Sequence, residues 1–250
     1  MLAAVQEGDA KKLADLMRQD PSFNVNQQDE DGYTLLHYAC LGDSKSPVIP
    51  LLLAHPDIDV NAKTKDGSTP FYYACYYGST YGVREMLNDS RVKVNEPDNY
   101  GWTPLWWAAR DGRLDVIRWW IASGREIDLG TLGNINKADI IGVAKRYSKT
   151  EVVDLLESFK SDAAKTRHST RVELGMLDAL AAEMFAMVVF VSDGLLSVRQ
   201  GNQVARFFSI SKDLPLELQM ILCYHAVGSA KEIIRGEFSE SAFKELAKRF

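Results

Sequence analysis

Histidine and cysteine are the residues of this chain best suited to acid–base, nucleophilic or metal chemistry, and their spacing argues against all three. No two of them lie at metal-ligand spacing, and a Cys–His pair two residues apart on a helix would not face each other. The glycines of "LGTLGN" (129–134) lack the Lys-Ser/Thr pair of a phosphate-binding loop. We therefore expect no catalytic residue, no metal and no cofactor, and we predict a non-enzymatic protein. The residues considered are His37, His55, His168, His225, Cys40, Cys75 and Cys223.

The composition of the chain limits the classes of partner that we expect it to bind. The 250 residues are 46% hydrophobic and 25% charged, which is typical of a folded soluble chain, and the formal net charge is -5. The sequence contains no basic stripe, so we expect no nucleic-acid partner. The most apolar window, "FAMVVFV" (185–191), is far shorter than the roughly 20 residues that span a bilayer, so we expect no membrane partner. The first residues lack the layout of a signal peptide, which favours an intracellular protein, cytoplasmic or nuclear.

The elements that would position any functional residue come from an internal repeat. The segments "DEDGYTLLHYACLG" (29–42), "TKDGSTPFYYACYYG" (64–78) and "DNYGWTPLWWAARDG" (98–112) align, and their alanines Ala39, Ala74 and Ala108 are 35 and 34 residues apart. A second set, "NVN" (24–26), "DVN" (59–61) and "KVN" (93–95), has the same period. Two independent sets with one period indicate a solenoid of stacked repeats.

These motifs resemble the ankyrin repeat family, with its turn, Thr-Pro-Leu-His helix start, paired small residues and Val-Asn loop. Gly32, Gly67 and Gly101 stand where a tight turn needs positive φ, and the threonines two residues later can cap a helix. The resemblance implies an ankyrin-repeat solenoid of about five helix-turn-helix units. From residue 170 the period stops, and helix-like apolar runs predict a small C-terminal helical bundle, so the predicted fold class is all-α. The resemblance also implies that His37 links the turn to the helix by hydrogen bonds. Tyr72 and Trp106 stand at the same position in the next two units, where the resemblance implies an apolar seam instead.

The predicted domains follow from the period. Residues 1–160 form the repeat domain, with units at about 1–28, 29–63, 64–97, 98–131 and 132–160; residues 161–169 connect it to a helical domain over 170–250. Pro50 falls near the first turn of the second unit's outer helix, where it is barely tolerated. "TRVE" (170–173) has the spacing of a capping box and predicts the start of a helix of roughly 20 residues.

The C-terminal region leaves two further functions open. "LPLELQMILC" (214–223) resembles the first helix of an F-box, which would make the chain a substrate receptor that binds a cullin-ligase adaptor. The contact residues implied are Leu214, Pro215, Leu218 and Ile221. Alternatively the bundle is structural, as a cap on the repeats or as a homo-oligomer interface through the apolar helix 171–191.

Resemblance to the ankyrin family also implies where a protein partner would bind. Turn tips and first helices form the concave face of such a stack, and Tyr, Trp and Arg dominate interface hot spots. The predicted contact residues are Tyr33, Lys65, Tyr76, Tyr77, Tyr100, Trp102, Arg110 and Asp111. The alternative for the aromatics is that they lie flat on neighbouring repeats, and we favour that packing role for Tyr38, Tyr73 and Trp107. The predicted function is a non-enzymatic interaction module for an unknown protein or peptide.

Overall fold

The computed structural model describes residues 1–130, 139–192, 207, 211, 214, 216–227, 238 and 242. It divides into two compact units, Met1–Thr170 and Arg171–Phe250. The elements are helical, and the described residues contain no strand, which confirms the predicted all-α class.

Helices in the repeats come in pairs, a first helix that follows the turn and a second helix that returns. The pairs are α1 (Leu2–Glu7) with α2 (Ala10–Gln19), α3 (Leu35–Ala39) with α4 (Ile49–Leu53), α5 (Pro70–Tyr77) with α6 (Thr80–Asn88), α7 (Pro104–Asp111) with α8 (Leu114–Ser123), and α9 (Ile140–Arg146) with α10 (Thr150–Ser161). Each pair is numbered here as one repeat, from repeat 1 to repeat 5.

Three more helices follow in the part of the chain that the structure describes. They are α11 (Ala163–Glu173), α12 (Met176–Ser192) and α13 (Leu216–Ala226). The stretch predicted as a connection, 161–169, falls largely in α11. In the second unit α12 and α13 share a small apolar core that includes Phe185, Val188 and Tyr224.

The first helices of repeats 2 to 4 begin at the predicted threonines. The side chains of Thr34, Thr69 and Thr103 each accept a hydrogen bond from the backbone N–H three residues later. Such caps are typically worth about 1 kcal/mol each, because they satisfy a donor that the helix leaves unpaired. Pro70 and Pro104 occupy the first helical turn, where no N–H is required. Sequence and local geometry therefore agree at the helix starts.

The tight turns before the first helices of repeats 2 to 4 each contain a glycine with positive φ. Gly67 has a φ of 79°, and a Cβ built on it would lie 2.9 Å from the backbone nitrogen of Asn99 in the next repeat. Any other residue would be strained by its own φ and would push the neighbouring turn away. The turns of successive repeats can be in direct contact only because this position is glycine.

The second helix of repeat 2 is shortened by its prolines. Pro47 lies in a 3₁₀ turn, Ser46–Val48, and Pro50 stands in the first turn of α4, which ends at Leu53. A proline in the first turn costs no hydrogen bond, so the chain starts a new helix there rather than kinking a longer one. Pro50 thus marks a helix start.

Asparagines of the Val-Asn loops link successive repeats. Asn61 donates from Nδ2 to the carbonyl of Arg91 (2.9 Å) and accepts at Oδ1 from the N–H of Lys93 (2.8 Å). Asn26 and Asn95 make the same pair of bonds to the loop of the repeat that follows each of them. The three side chains form what we call the asparagine ladder, and it explains why the Val-Asn motif has the same period as the helices.

The predicted capping box at 170–173 is wrong. Thr170 lies inside α11, where its hydroxyl donates to the carbonyl of Thr166 (2.7 Å). The next helix begins at Met176, after Gly175, whose φ of 67° breaks the chain direction. A threonine that bonds back to the preceding turn needs no cap position, and the spacing alone does not distinguish the two uses.

Candidate functional site

Aromatic side chains of repeats 2 to 4 form one continuous row on the turns and first helices. Successive ring centroids along it are 4.3 to 6.3 Å apart, within the range of favourable edge-to-face and offset contacts. In order, this aromatic row consists of Tyr38, Tyr33, Tyr73, Tyr77, Tyr76, Trp107, Trp106 and Trp102. Rings predicted to bind and rings predicted to pack therefore belong to a single surface.

At the repeat 2 end of the row, tyrosine hydroxyls are fixed by hydrogen bonds. Tyr33 donates to the hydroxyl oxygen of Tyr73 (2.7 Å), and Tyr38 donates to the carboxylate of Asp29. Burial, followed by the Tyr73 hydrogen bond, raises the pKa of Tyr33 well above its ordinary value. The hydrogen bond to Asp29 raises the pKa of Tyr38 to about 12. Both hydroxyls thus stay protonated and keep their donor role at neutral pH.

Two aspartates support the turns beneath the row. Asp29 accepts the backbone N–H groups of Asp31 and Tyr33 in addition to the Tyr38 hydroxyl. Asp98 does the same in repeat 4, because it accepts two turn N–H groups and the hydroxyl of the buried Tyr72 (2.7 Å). Sequence reasoning missed both aspartates. Their separation of two repeat periods, with Thr64 at the same position between them, was the signal that could have found them.

His37 braces turn and helix as the family resemblance implied. Its Nδ1 accepts from the N–H of Thr34 (3.0 Å), and its Nε2 bonds the carbonyl of Ser68 in the next repeat (3.2 Å), which requires the Nε2–H tautomer. Burial lowers the pKa of His37 to about 4, so the ring is neutral at physiological pH. Its role is structural, and it lies below the rings of Tyr33 and Tyr73.

The middle of the row is its most accessible part. Tyr77 is 46% exposed, and its ring stacks on Tyr73 at 6.3 Å. Tyr76 is half-buried between Tyr77 and Trp107, with centroid distances of 4.9 and 4.7 Å. Both predicted residues therefore present part of a ring to solvent while neighbours hold the ring in place.

At the repeat 4 end the row carries a cation. The guanidinium of Arg110 lies 4.5 Å from the ring centroid of Trp107 and 5.7 Å from that of Tyr147. Its Nε pairs with the carboxylate of Asp111 at 3.3 Å. The structure thus brings Arg110 and Asp111 together as predicted neighbours of the row. Tyr147, which sequence reasoning missed, belongs to the degenerate fifth repeat, where the period no longer assigns positions.

Trp106 occupies the position of His37 but does not reproduce its bonds. Its indole nitrogen is buried and has no hydrogen-bond partner among the described residues. Its ring stacks against Trp102 at 4.3 Å and meets Trp107 edge-to-face. At this position the predicted apolar seam is therefore a cluster of three indoles in contact. The prediction is wrong for Tyr72, because its hydroxyl donates to the aspartate that supports the turn of repeat 4 and so keeps a polar link.

The predicted turn-tip residues differ in exposure. Lys65 is exposed, and its backbone is bound on both sides, since its N–H donates to Asp31 and its carbonyl accepts from the side chain of Asn99. Tyr100 is 66% exposed and makes none of the ring contacts of the row, whereas Trp102 is half-buried. The turn tips form a rigid edge beside the aromatic row, and Tyr100 projects from it.

Elsewhere the described residues offer little reactive chemistry. Burial raises the pKa of Cys40 and of Cys75, which lie in the repeat core, so both thiols stay protonated. No group of three or more His, Cys, Asp or Glu side chains in the described part could hold a metal ion. None of the described helices combines the length and apolar character needed to cross a bilayer.

The F-box-like residues lie in or next to α13. Leu218 is 48% exposed, Leu214 and Ile221 are half-buried, and Pro215 lies outside the described residues. Gln219 donates to the carbonyl of Leu214 (2.9 Å). Adaptor binding through this helix, and self-association through 171–191, both stay predictions.

Fold and site together define a helical repeat protein whose turns and first helices share one aromatic surface. The family model described as "Ankyrin repeats (3 copies)" matches residues 1–95 and 44–131, which together exceed half of the chain. The chain belongs to the ankyrin repeat family. Proteins of this family are typically modules for protein–protein interaction, and they are usually non-catalytic.

Proposed function

We propose that the protein binds a protein or peptide partner on the concave face formed by the turns and first helices of repeats 2 to 4. The observation that carries the proposal is the aromatic row, with Tyr77 exposed at its centre and Tyr100 exposed on the adjacent edge. Large exposed aromatics favour association, because burying them against a partner removes apolar area from water.

The row is also preorganised. Its rings are held by one another and by hydrogen bonds such as that between Tyr33 and Tyr73, so little side-chain entropy remains to be lost on binding. Tyr, Trp and Arg are the residues most enriched at interface hot spots; the row supplies the first two, and Arg110 beside Trp107 supplies the third. Binding proceeds by contact and desolvation, without bond chemistry.

A capture experiment tests this function. The immobilised wild-type chain and a variant that combines Tyr77→Ala with Tyr100→Ala are used to recover binding proteins for mass spectrometry. The variant is expected to lose the specific proteins while its circular dichroism is unchanged, because both side chains are exposed. The matched control is Tyr81→Ala, which removes a tyrosine from α6, the second helix of the same repeat as Tyr77. An unchanged set of captured proteins in the double variant would overturn the proposal.

A further inference from the structure

The hydroxyl groups at the centre of the aromatic row are available as donors. Tyr73 is buried and its oxygen accepts from Tyr33, so the accessible donors are those of Tyr76 and Tyr77 beside it. The hydroxyls of Tyr76 and Tyr77 make no hydrogen bond to any described residue. The nearby acceptors Asp29 and Asp98 are occupied by Tyr38 and Tyr72. The face therefore combines flat ring surfaces with free O–H donors.

That combination complements a particular kind of peptide backbone. A proline-rich segment lacks most N–H groups but retains every carbonyl, and it adopts an extended polyproline II helix that leaves those carbonyls exposed. Its rings pack flat on aromatic side chains, and it loses little entropy on binding because it is already extended. A helix would offer the row no free carbonyl, because its own backbone hydrogen bonds use them, and a strand would bring N–H groups for which the row has only tyrosine hydroxyl oxygens as acceptors.

Charge along the adjacent edge adds a second requirement. The exposed turn tips of repeats 2 and 3 carry Glu30, Asp31 and Asp66 against the one cation Lys65. They are held beside the row, because the carbonyls of Asp31 and Asp66 accept the N–H groups of Lys65 and Asn99 at 2.9 Å each. A basic side chain in the ligand would therefore be attracted to this end of the row, whereas Arg110 at the other end is already paired with Asp111.

The length of ligand follows from the spacing of the helices. Packed helices lie about 8–10 Å apart, so α3 to α7 span roughly 20 Å. Polyproline II rises about 3.1 Å per residue, and a segment of about six or seven residues covers that distance.

We propose that the row binds a proline-rich extended segment of a partner protein, with a basic residue toward the acidic turn tips of repeats 2 and 3. This inference rests on the proposed function, since it names the chemistry of the partner at the same face. Ring faces contact the prolines, and the hydroxyls of Tyr76 and Tyr77 donate to ligand carbonyls.

Fluorescence anisotropy on the full chain tests the inference with synthetic peptides of about 12 residues, long enough to cover the row with flanks. The first probe alternates proline with leucine and has two arginines at one end. The alanine probe replaces each proline by alanine, and the acidic probe replaces the arginines by glutamate. The first probe is expected to bind at least about tenfold more tightly than either of the others.

Variants locate the binding. Tyr77→Phe removes one hydroxyl and keeps the ring, so the first probe should bind about 2- to 10-fold more weakly. Tyr81→Phe, on α6, is the matched control and should leave the affinity unchanged. Asp31→Asn combined with Asp66→Asn should weaken the first probe and leave its preference over the alanine probe intact.

Several outcomes would overturn the inference while leaving the proposed function standing. They are equal binding of the alanine probe, tighter binding of the acidic probe, no binding of the first probe at about 1 mM, and an equal loss in Tyr77→Phe and Tyr81→Phe. The proposed function itself falls only if the proteins captured by the wild-type chain are also captured by the Tyr77→Ala and Tyr100→Ala variant.

Discussion

Acid should destabilise the repeats through the buried imidazole of His37. Burial lowers the pKa of His37 in the folded chain to about 4, against an ordinary value of 6.5. As the pH falls, the unfolded chain takes up the proton first, so stability is constant above about pH 7 and is lost from pH 6.5 down to about pH 4. Protonation would also place a hydrogen on Nδ1 of His37. This nitrogen now accepts a hydrogen bond from the N–H of Thr34, so two N–H groups would then face each other.

The magnitude follows from the size of the shift. A difference between 6.5 and about 4 corresponds to a loss of the order of 3 kcal/mol, at up to about 1.4 kcal/mol per pH unit. Carboxylates contribute in a different window. The pKa of Asp29 is lowered by its bond with Tyr38 and that of Glu96 by Lys63, so their stabilisation is fully present above their unfolded values and lost only at lower pH.

Urea denaturation followed by circular dichroism at a series of pH values from about 7.5 to 5 measures the effect. The wild-type free energy of unfolding should fall by about 2 kcal/mol across this range. His37→Gln, which cannot titrate, should be less stable at neutral pH and nearly flat across the same range. A wild-type chain equally stable at both ends, or a variant that loses as much as wild type, would refute the assignment of the pH dependence to His37.

Two of the remaining predictions concern contacts between successive repeats, and the third concerns a glycine inside a helix. Asn61→Ala removes two hydrogen bonds of the asparagine ladder and should lower the free energy of unfolding, measured in urea, by about 1–2 kcal/mol. Asn88→Ala is the control, because Asn88 is exposed at the end of α6, and it should change this free energy little. Equal effects of the two substitutions would argue against the ladder. Gly67→Ala should cost about 2 kcal/mol or more, because it forces a side chain to positive φ and against the next turn. Gly142 lies inside α9, and the nearest atom to a Cβ built on it is a side-chain oxygen at 3.3 Å, so Gly142→Ala should instead stabilise the fold by up to about 1 kcal/mol. Thermal melts in which the two glycine variants shift the melting temperature in the same direction would contradict this reasoning.

Local features of the fold were predictable because their causes lie within a few residues. The threonine caps bond an N–H three residues later, and the prolines of the first turns and the turn glycines act through their own backbone angles, so local spacing carries the information. The same reasoning failed at Thr170, whose hydroxyl bonds backward instead of capping forward. It also gave no reason for the Val-Asn motif, since Asn61 finds its partners in the loop of the following repeat.

The candidate site was predictable only as a set of positions. The resemblance placed Tyr33, Tyr76 and Trp102 on the partner-facing side, and they do belong to the aromatic row. Their orientations depend on residues tens of positions away, as when Tyr33 bonds Tyr73, and such contacts leave no trace in local spacing. The sequence therefore could not distinguish rings that pack from rings that bind. In the structure each ring of the row packs against the next one.

The asparagine ladder bears on how such a chain can change in length. Each amide bonds only backbone groups of the following loop, so these bonds do not depend on which side chains that loop carries. Duplicating or deleting one whole unit of about 35 residues would therefore leave matching donors and acceptors at every junction. A partner-binding surface can in this way be lengthened or cut by genetic recombination without redesign of the scaffold that bears it.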